Sequence, residues 1–220
     1  MNERESISDK FSCLTGIKFK NADILVEAVS HRSFKKDVSY QRLEFLGDSL
    51  LSFFTSEYFY RKYKLFAEGE LSKFRTSIVN RENLSHVFTQ LNLSDLVFID
   101  RKSFKDDIPE SIKEDIMESL LAAVYLDGGI RAAKKMFKLI IKNSHSVPEE
   151  FFAKNQLQEL SLGRYKSLPE FKTVESEEKE FVCRIYVNGK YCSEAQGKSK
   201  KECEKKAALL AFRKLEKEIQ

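Results

Sequence analysis

The sequence predicts an all-α domain in residues 1–142, followed by a small α+β domain in residues 154–220 with the order α-β-β-β-α. In the first part, apolar residues recur every three or four positions, which is the period of an amphipathic helix. In residues 180–187 the period changes to two, so alternate side chains share one face, as in a strand. Hydrophobic content of 42% and charged content of 33% are typical of globular proteins.

Turn residues support the boundaries of the predicted helices in the first domain. Asn21 and Asn80 are expected to be N-caps, and Asp127-Gly128-Gly129 is expected to end a helix. Residues 143–153 contain Ser, Pro and acidic side chains without periodicity, and we expect a short linker there. The helical windows lie around residues 21–30, 41–63, 71–79, 82–92, 111–126 and 131–142.

The second domain carries hairpin and capping signals. Asn188-Gly189 predicts a two-residue type I′ turn between two strands. The register of that hairpin would place Cys192 opposite Ile185, which argues against a disulfide between Cys192 and Cys183. Ser199-Lys200-Lys201-Glu202 predicts a capping box at the start of the last helix.

Composition excludes several classes of protein. No apolar run approaches the ~18 residues of a membrane span, and the first residues are charged where a signal peptide would be apolar. We therefore expect a cytoplasmic protein with no membrane partner. Four cysteines without C-x-x-C spacing and only three histidines argue against a zinc site. The net charge of +4 does not by itself indicate a nucleic-acid partner.

Two otherwise apolar helices each carry a pair of carboxylates on one face. These are Glu44 and Asp48 in residues 42–51, and Asp115 and Glu118 in residues 111–126. One isolated pair would more simply be a solvated helix face or a partner of the helix dipole. Two pairs on crossing helices would bring four like charges together, and their burial costs several kcal/mol unless a cation compensates. Oxygen ligands of this kind suit Mg²⁺, with Mn²⁺ as a substitute.

The segment RLEFLGDSLL (42–51) resembles the signature of ribonuclease III. AVSHRSF (28–34), EGELSKFRTSIVN (68–80) and DIMESLLAAVYLDGG (115–129) resemble the other blocks of that family, in the same order. GKSKKECEKKAALLAF (197–212) resembles the last block of a double-stranded-RNA-binding domain. The resemblance covers essentially the whole chain.

The resemblance implies a homodimeric endoribonuclease that cuts one strand of double-stranded RNA in each subunit. Metal-assisted hydrolysis would leave a 5′ phosphate and a 3′ hydroxyl, and ribosomal RNA precursors and structured messenger RNA are the expected substrates. The positions implied to be catalytic and to bind Mg²⁺ are Glu44, Asp48, Asp115 and Glu118. Gln41 stands where the family often has Glu, Glu68 matches an acidic position near the cleavage centre, and Phe45 matches an aromatic residue that inserts into the partner subunit.

The resemblance also implies an RNA-binding surface. Gln158 and Glu159 match residues that reach the minor groove and its 2′-hydroxyls. Lys200 and Lys201, at a helix N-terminus that favours phosphate, would act with Lys198 and Lys205. Taken alone, such a lysine-rich face could equally be an ordinary solvated helix.

Two positions in the second domain depart from the family pattern. Leu162 stands where bacterial members usually carry Gln. The loop Glu175–Glu180 is acidic and lacks the Gly-Pro-x-His sequence that the family commonly has there. Because phosphates repel carboxylates, we expect this domain to bind RNA more weakly than its relatives do.

Two other functions compete with the endonuclease. A non-catalytic RNA-binding or assembly protein could retain the helical dimer, but it should have lost at least one of the four carboxylates. A helical dimer that uses these carboxylates for structural ion pairs would not explain the RNA-binding pattern. Both are therefore disfavoured.

Overall fold

A computed structural model of the protein describes residues 3–35, 37–100, 104, 107–145, 149–176 and 180–218. Its contacts divide the chain into two compact units. The first unit is formed by Met1–Lys62 and Ala67–His145, and the second by Tyr63–Phe66 and Ser146–Gln220.

The first unit is helical, as the sequence predicts. Its helices are α1 (Glu3–Thr15), α2 (Ala22–Ala28), α3 (Gln41–Lys62), α4 (Glu68–Val79), α5 (Arg81–Gln90) and α6 (Glu110–Asn143), with a 3-10 turn at Leu93–Leu96. Asn21 and Asn80 cap α2 and α5 through their side chains, as expected. Gly129 interrupts α6 with φ 71° and ψ −171°, which confirms the predicted helix end at this point. The first helix, α1, was not predicted.

Helix α3 packs along α6 in the centre of the first unit. Leu51 and Phe54 of α3 and Ile116 and Leu120 of α6 are almost completely buried. The opposite face of α3 is exposed, however, including Phe45 with 80% of its surface accessible. The apolar residues of α3 therefore divide between a buried side that faces α6 and an exposed side that includes Phe45.

The second unit has the predicted α-β-β-β-α order. It consists of α7 (Glu149–Tyr165), β1 (Glu170–Glu175), β2 (Phe181–Val187), β3 (Lys190–Gly197) and α8 (Lys200–Lys217). The strands form one antiparallel sheet in the order β1-β2-β3. Helix α8 packs on the sheet and α7 packs on α8. Residues 149–153, which the sequence assigned to the linker, form the first turns of α7, and Ala153 lies in this unit's core.

The β2–β3 hairpin has the predicted two-residue turn and one unpredicted bulge. Asn188 and Gly189 both have positive φ, at 51° and 73°, as a type I′ turn requires. Ile185 pairs with Ser193 rather than with Cys192, because the register shifts between Ile185 and Tyr186. The predicted pairing of Cys192 is therefore wrong, since the bulge adds one residue to β3.

All four cysteines are free thiols. Cys183, Cys192 and Cys203 are buried in the core of the second unit, whereas Cys13 is exposed in the first. Burial raises the thiol pKa of the three buried cysteines.

Across the residues that the structure describes, no helix combines the length and apolar character needed to cross a bilayer.

Candidate active site and RNA interface

The two carboxylate helices touch backbone to backbone at Gly47. A Cβ atom added to Gly47 would lie 1.9 Å from the carbonyl oxygen of Glu118 and 2.3 Å from its carbonyl carbon. Only glycine allows α3 to approach α6 this closely. Glu44 and Asp48 flank Gly47 on α3, so the close approach holds them opposite Glu118.

The structure places the four predicted carboxylates close enough for their charges to raise the pKa of Glu118 and of Glu44. Glu118 is 8% exposed, and its burial, followed by the charges of Asp48, Glu114, Glu44 and Asp115, raises its pKa to about 8. Burial and then the charge of Asp115 raise the pKa of Glu44. Asp48 is exposed and Glu44 only half-buried, so the expected burial of both α3 carboxylates is wrong. The charges that act on Glu118 are therefore all negative.

Three residues around Asp115 were not identified from the sequence. The hydroxyl of Tyr40, which is buried, donates a hydrogen bond of 2.9 Å to Oδ2 of Asp115. Arg81 Nε contacts Oε2 of Glu114 at 2.7 Å. Burial raises the pKa of Asp115, and the Tyr40 hydrogen bond opposes that rise. The only sequence signals for Tyr40 and Glu114 are their positions next to the two motifs.

The chemistry of this donor set fits a hard divalent cation. Four carboxylates supply the oxygen ligands that such ions prefer, and a cation would relieve the repulsion that acts on Glu118. As the side chains stand, no three acidic, histidine or cysteine residues in the described ranges are arranged to hold one ion. Binding would therefore require side chains to rearrange, and Asp48 is the exposed member of the four.

The other predicted site residues of the first unit lie at helix starts or on the surface. Gln41 accepts a hydrogen bond from Ser39 at the start of α3, and Glu68 accepts one from Ser72 at the start of α4. Neither contact joins them to the four carboxylates. Phe45 lies on the surface with 80% of the residue exposed.

The predicted RNA-binding lysines gather at the start of α8. Lys198, Lys200 and Lys201 are exposed, whereas Lys205 is half-buried. Gly197, the last residue of β3, allows the first turn of α8 to pack closely against it. A Cβ atom at Gly197 would lie 2.8 Å from the backbone nitrogen of Cys203. On α7, Gln158 and Glu159 are both half-buried.

The capping box at this helix start is only half as predicted. The Ser199 hydroxyl accepts a hydrogen bond from the backbone N–H of Glu202, but the Glu202 carboxylate accepts from the N–H of Lys198 rather than from that of Ser199. Glu202 also pairs with Lys206 at 2.6 Å.

The chain matches known families along most of its length. Residues 21–144 match a family model described as ribonuclease-III-like, and residues 153–215 match the double-stranded RNA binding motif. Ribonuclease 3 of Aliarcobacter butzleri is 36% identical over 211 residues, covering 91% of this chain and 94% of the relative. Ribonuclease 3 of Borreliella burgdorferi is 33% identical over 230 residues, covering 98% and 94%.

Solved structures resemble the first unit. The nuclease domain of ribonuclease III from Campylobacter jejuni superposes with a TM-score of 0.58 at 33% identity. The superposed region covers 61% of this chain and 96% of the Campylobacter jejuni chain. The solved structure is described as showing flexibility in a region involved in dimer formation.

The fold and the site together define a class of protein, an endonuclease domain joined to a module for double-stranded RNA. Within that class, the chain belongs to the ribonuclease III family, whose members are endoribonucleases that cleave double-stranded RNA. The family generally uses a divalent metal.

Proposed function

We propose that the protein hydrolyses double-stranded RNA with Mg²⁺, or Mn²⁺ in its place, held by Glu44, Asp48, Asp115 and Glu118. The observation that carries this proposal is the buried Glu118 carboxylate, which the Gly47 contact holds among three other predicted ligands. The catalytic domain would span residues 1–142, with the RNA-binding domain at 154–220. The expected substrates are ribosomal RNA precursors and structured messenger RNA in the cytoplasm.

The reaction is the addition of water to a phosphodiester. Water attacks phosphorus, the bond to the 3′ oxygen breaks, and the products are a 5′ phosphate and a 3′ hydroxyl. A divalent cation, when bound, would neutralise phosphate charge and make water easier to deprotonate. The four carboxylates would hold that cation, and the lysines at the start of α8 would bind phosphates of the duplex. Tyr40 orients Asp115 through its hydrogen bond.

Cleavage of a long perfect RNA duplex tests the proposal. We expect short duplexes with 5′ phosphates when Mg²⁺ is present and intact RNA in EDTA. Equal cleavage in EDTA would exclude the metal mechanism. Binding without cleavage in either buffer would instead favour a non-catalytic RNA-binding protein.

The hydrogen bond from Tyr40 should set the position of Asp115. We expect Tyr40→Phe to raise the Mg²⁺ concentration needed for half-maximal cleavage by about tenfold, because outer-shell partners of metal ligands typically contribute 10–100-fold to metal affinity. A Mg²⁺ titration of the initial rate measures this. Tyr60→Phe is the matched control, because Tyr60 is 73% exposed in α3, the helix that begins directly after Tyr40. An unchanged Mg²⁺ requirement in Tyr40→Phe would show that Asp115 needs no such support.

The exposed ring of Phe45 supports the proposed homodimer. An aromatic side chain that is 80% accessible gains by burial against a second subunit. We expect Phe45→Asp to weaken dimerisation at least about tenfold, as measured by sedimentation equilibrium. Leu210→Asp, which alters an exposed residue of α8, should leave the dimer intact. Equal dimerisation of wild type and Phe45→Asp would remove Phe45 from the interface.

The acidic loop between β1 and β2 should weaken RNA binding. Residues 177–179 lie outside the described residues, and Ser176 N–H donates to the carbonyl of Glu180 across the loop at 2.7 Å. Replacing the loop with a Gly-Pro-x-His sequence should tighten binding to a duplex about tenfold at fixed salt, because it removes carboxylates that repel phosphates. An electrophoretic mobility shift in EDTA measures the affinity. No change would show that the loop does not approach RNA.

A further inference from the structure

The first unit contains a groove far along the helices from the four carboxylates. This α3–α6 groove, a cavity of about 700 Å³, lies between the last turns of α3 and the part of α6 beyond Gly129. Its apolar side chains are Phe54, Tyr58, Phe137 and Ile141. Tyr58 follows Asp48 by ten residues, or about 15 Å along a helix, so the groove is a separate place from the proposed active site.

The rim of the α3–α6 groove is strongly basic. Its charged side chains are Arg61, Lys62, Lys134, Lys138, Lys142 and Glu57. Glu57 contacts Arg61 at 2.9 Å and Lys134 at 3.1 Å, so its single negative charge is already engaged. Within the described residues, Lys138 and Lys142 form no ion pair. These two lysines are exposed and four residues apart, hence on one face of α6.

We propose that the α3–α6 groove binds a single-stranded RNA segment adjoining the duplex, with a base in the cavity and its phosphates on Lys138 and Lys142. A positive groove with aromatic side chains is the arrangement that recognises unpaired nucleotides, because every base has a face that can stack. Bases in a duplex are already stacked and cannot enter such a cavity. The ligand class rests on the RNA-cleaving activity of the family and not on the proposed metal site.

Tyr58 is the most accessible aromatic side chain of the groove, with Lys62 Nζ lying over its ring at 5.2 Å from the centroid. It is half-buried at the groove and its ring lies 6.0 Å from that of Phe137, edge to face. Phe54 and Phe137 are almost fully buried, so they offer little accessible ring surface. An acidic peptide could form ion pairs with the lysines. Its carboxylates would not stack on the aromatic side chains of the groove, however. The combination of ring and cations therefore favours a nucleotide.

The test compares two RNA ligands on the full chain in EDTA, a blunt duplex and the same duplex with a single-stranded extension. We expect the extension to tighten binding about fivefold or more in the wild type. Lys138→Gln with Lys142→Gln should remove most of this gain, and Tyr58→Leu should reduce it, while affinity for the blunt duplex stays the same. Lys135→Gln is the matched control, because Lys135 is an exposed lysine of α6 outside the groove.

The possible outcomes separate this inference from the proposed function. No gain from the extension in the wild type, or a gain that survives loss of both lysines, would overturn the inference. So would an acidic peptide that binds through Lys138 and Lys142 when the extension gives no gain. Cleavage of the blunt duplex with Mg²⁺ is measured in parallel, and its failure would contradict the metal mechanism without affecting the comparison in EDTA.

Discussion

Glu118→Gln is expected to lower the rate of duplex cleavage at saturating Mg²⁺ by about a thousandfold or more, because it removes a charged ligand from the proposed metal site. The variant should still fold and bind duplex RNA. In EDTA its melting temperature should equal or exceed that of the wild type, since the neutral side chain ends the repulsion by the neighbouring carboxylates. Single-turnover cleavage and thermal unfolding measure the two effects.

The control for Glu118→Gln is Glu82→Gln, which makes the same chemical change at an exposed position of α5. It should leave cleavage unchanged. A Glu118→Gln enzyme that cuts within about tenfold of the wild-type rate would show that this carboxylate does not hold the metal. A large fall in its melting temperature would instead show that the lost activity reflects unfolding.

Gly47→Ala is expected to reduce both stability and cleavage severely. The new Cβ would lie 1.9 Å from the Glu118 carbonyl oxygen, and that neighbour is backbone, so the helices must move apart. Overpacking of this kind costs about 1–3 kcal/mol or more, which corresponds to a fall in Tm of about 5 °C or more. Separation of the helices would also move Glu44 and Asp48 away from Glu118. Calorimetry and single-turnover cleavage test the prediction.

Gly69→Ala is the matched control for Gly47→Ala. Gly69 lies in α4, and a Cβ at this position would meet no atom within 4 Å. The substitution should leave stability unchanged or raise it by about 0.4–1 kcal/mol, because alanine restricts the unfolded chain. If both variants melt at the wild-type temperature, the stability of the protein does not depend on the close approach of α3 and α6.

The site was predictable from the sequence where spacing dictates geometry. Glu44 and Asp48 are four residues apart and Asp115 and Glu118 three, so each pair must share one helix face. How deeply each carboxylate is buried was not predictable. The apolar neighbours of Asp48 suggested that it is buried, but it is exposed. Tyr40 and Glu114 come close to the four carboxylates only when the chain is folded. No spacing pattern in the sequence therefore identifies them.

The errors in the fold have local physical causes. Helix α1 carries few apolar residues among many charged ones, and its packing rests on Ile7 and Phe11, too few for a periodic signal. The bulge at Cys192 adds one residue to β3. The types of residue along the strand give no sign of it. The start of α7 was hidden because residues 149–153 have no clear apolar period, although Ala153 is buried against the rest of its unit.

The distribution of thiols makes the wild-type chain suitable for single-site labelling. Cys183, Cys192 and Cys203 are shielded by the core, and their raised pKa keeps them protonated and slow to react with a maleimide. Cys13 alone among the four is accessible. A dye or spin label can therefore be attached to one helix of the nuclease unit under native conditions, without first building a cysteine-free background.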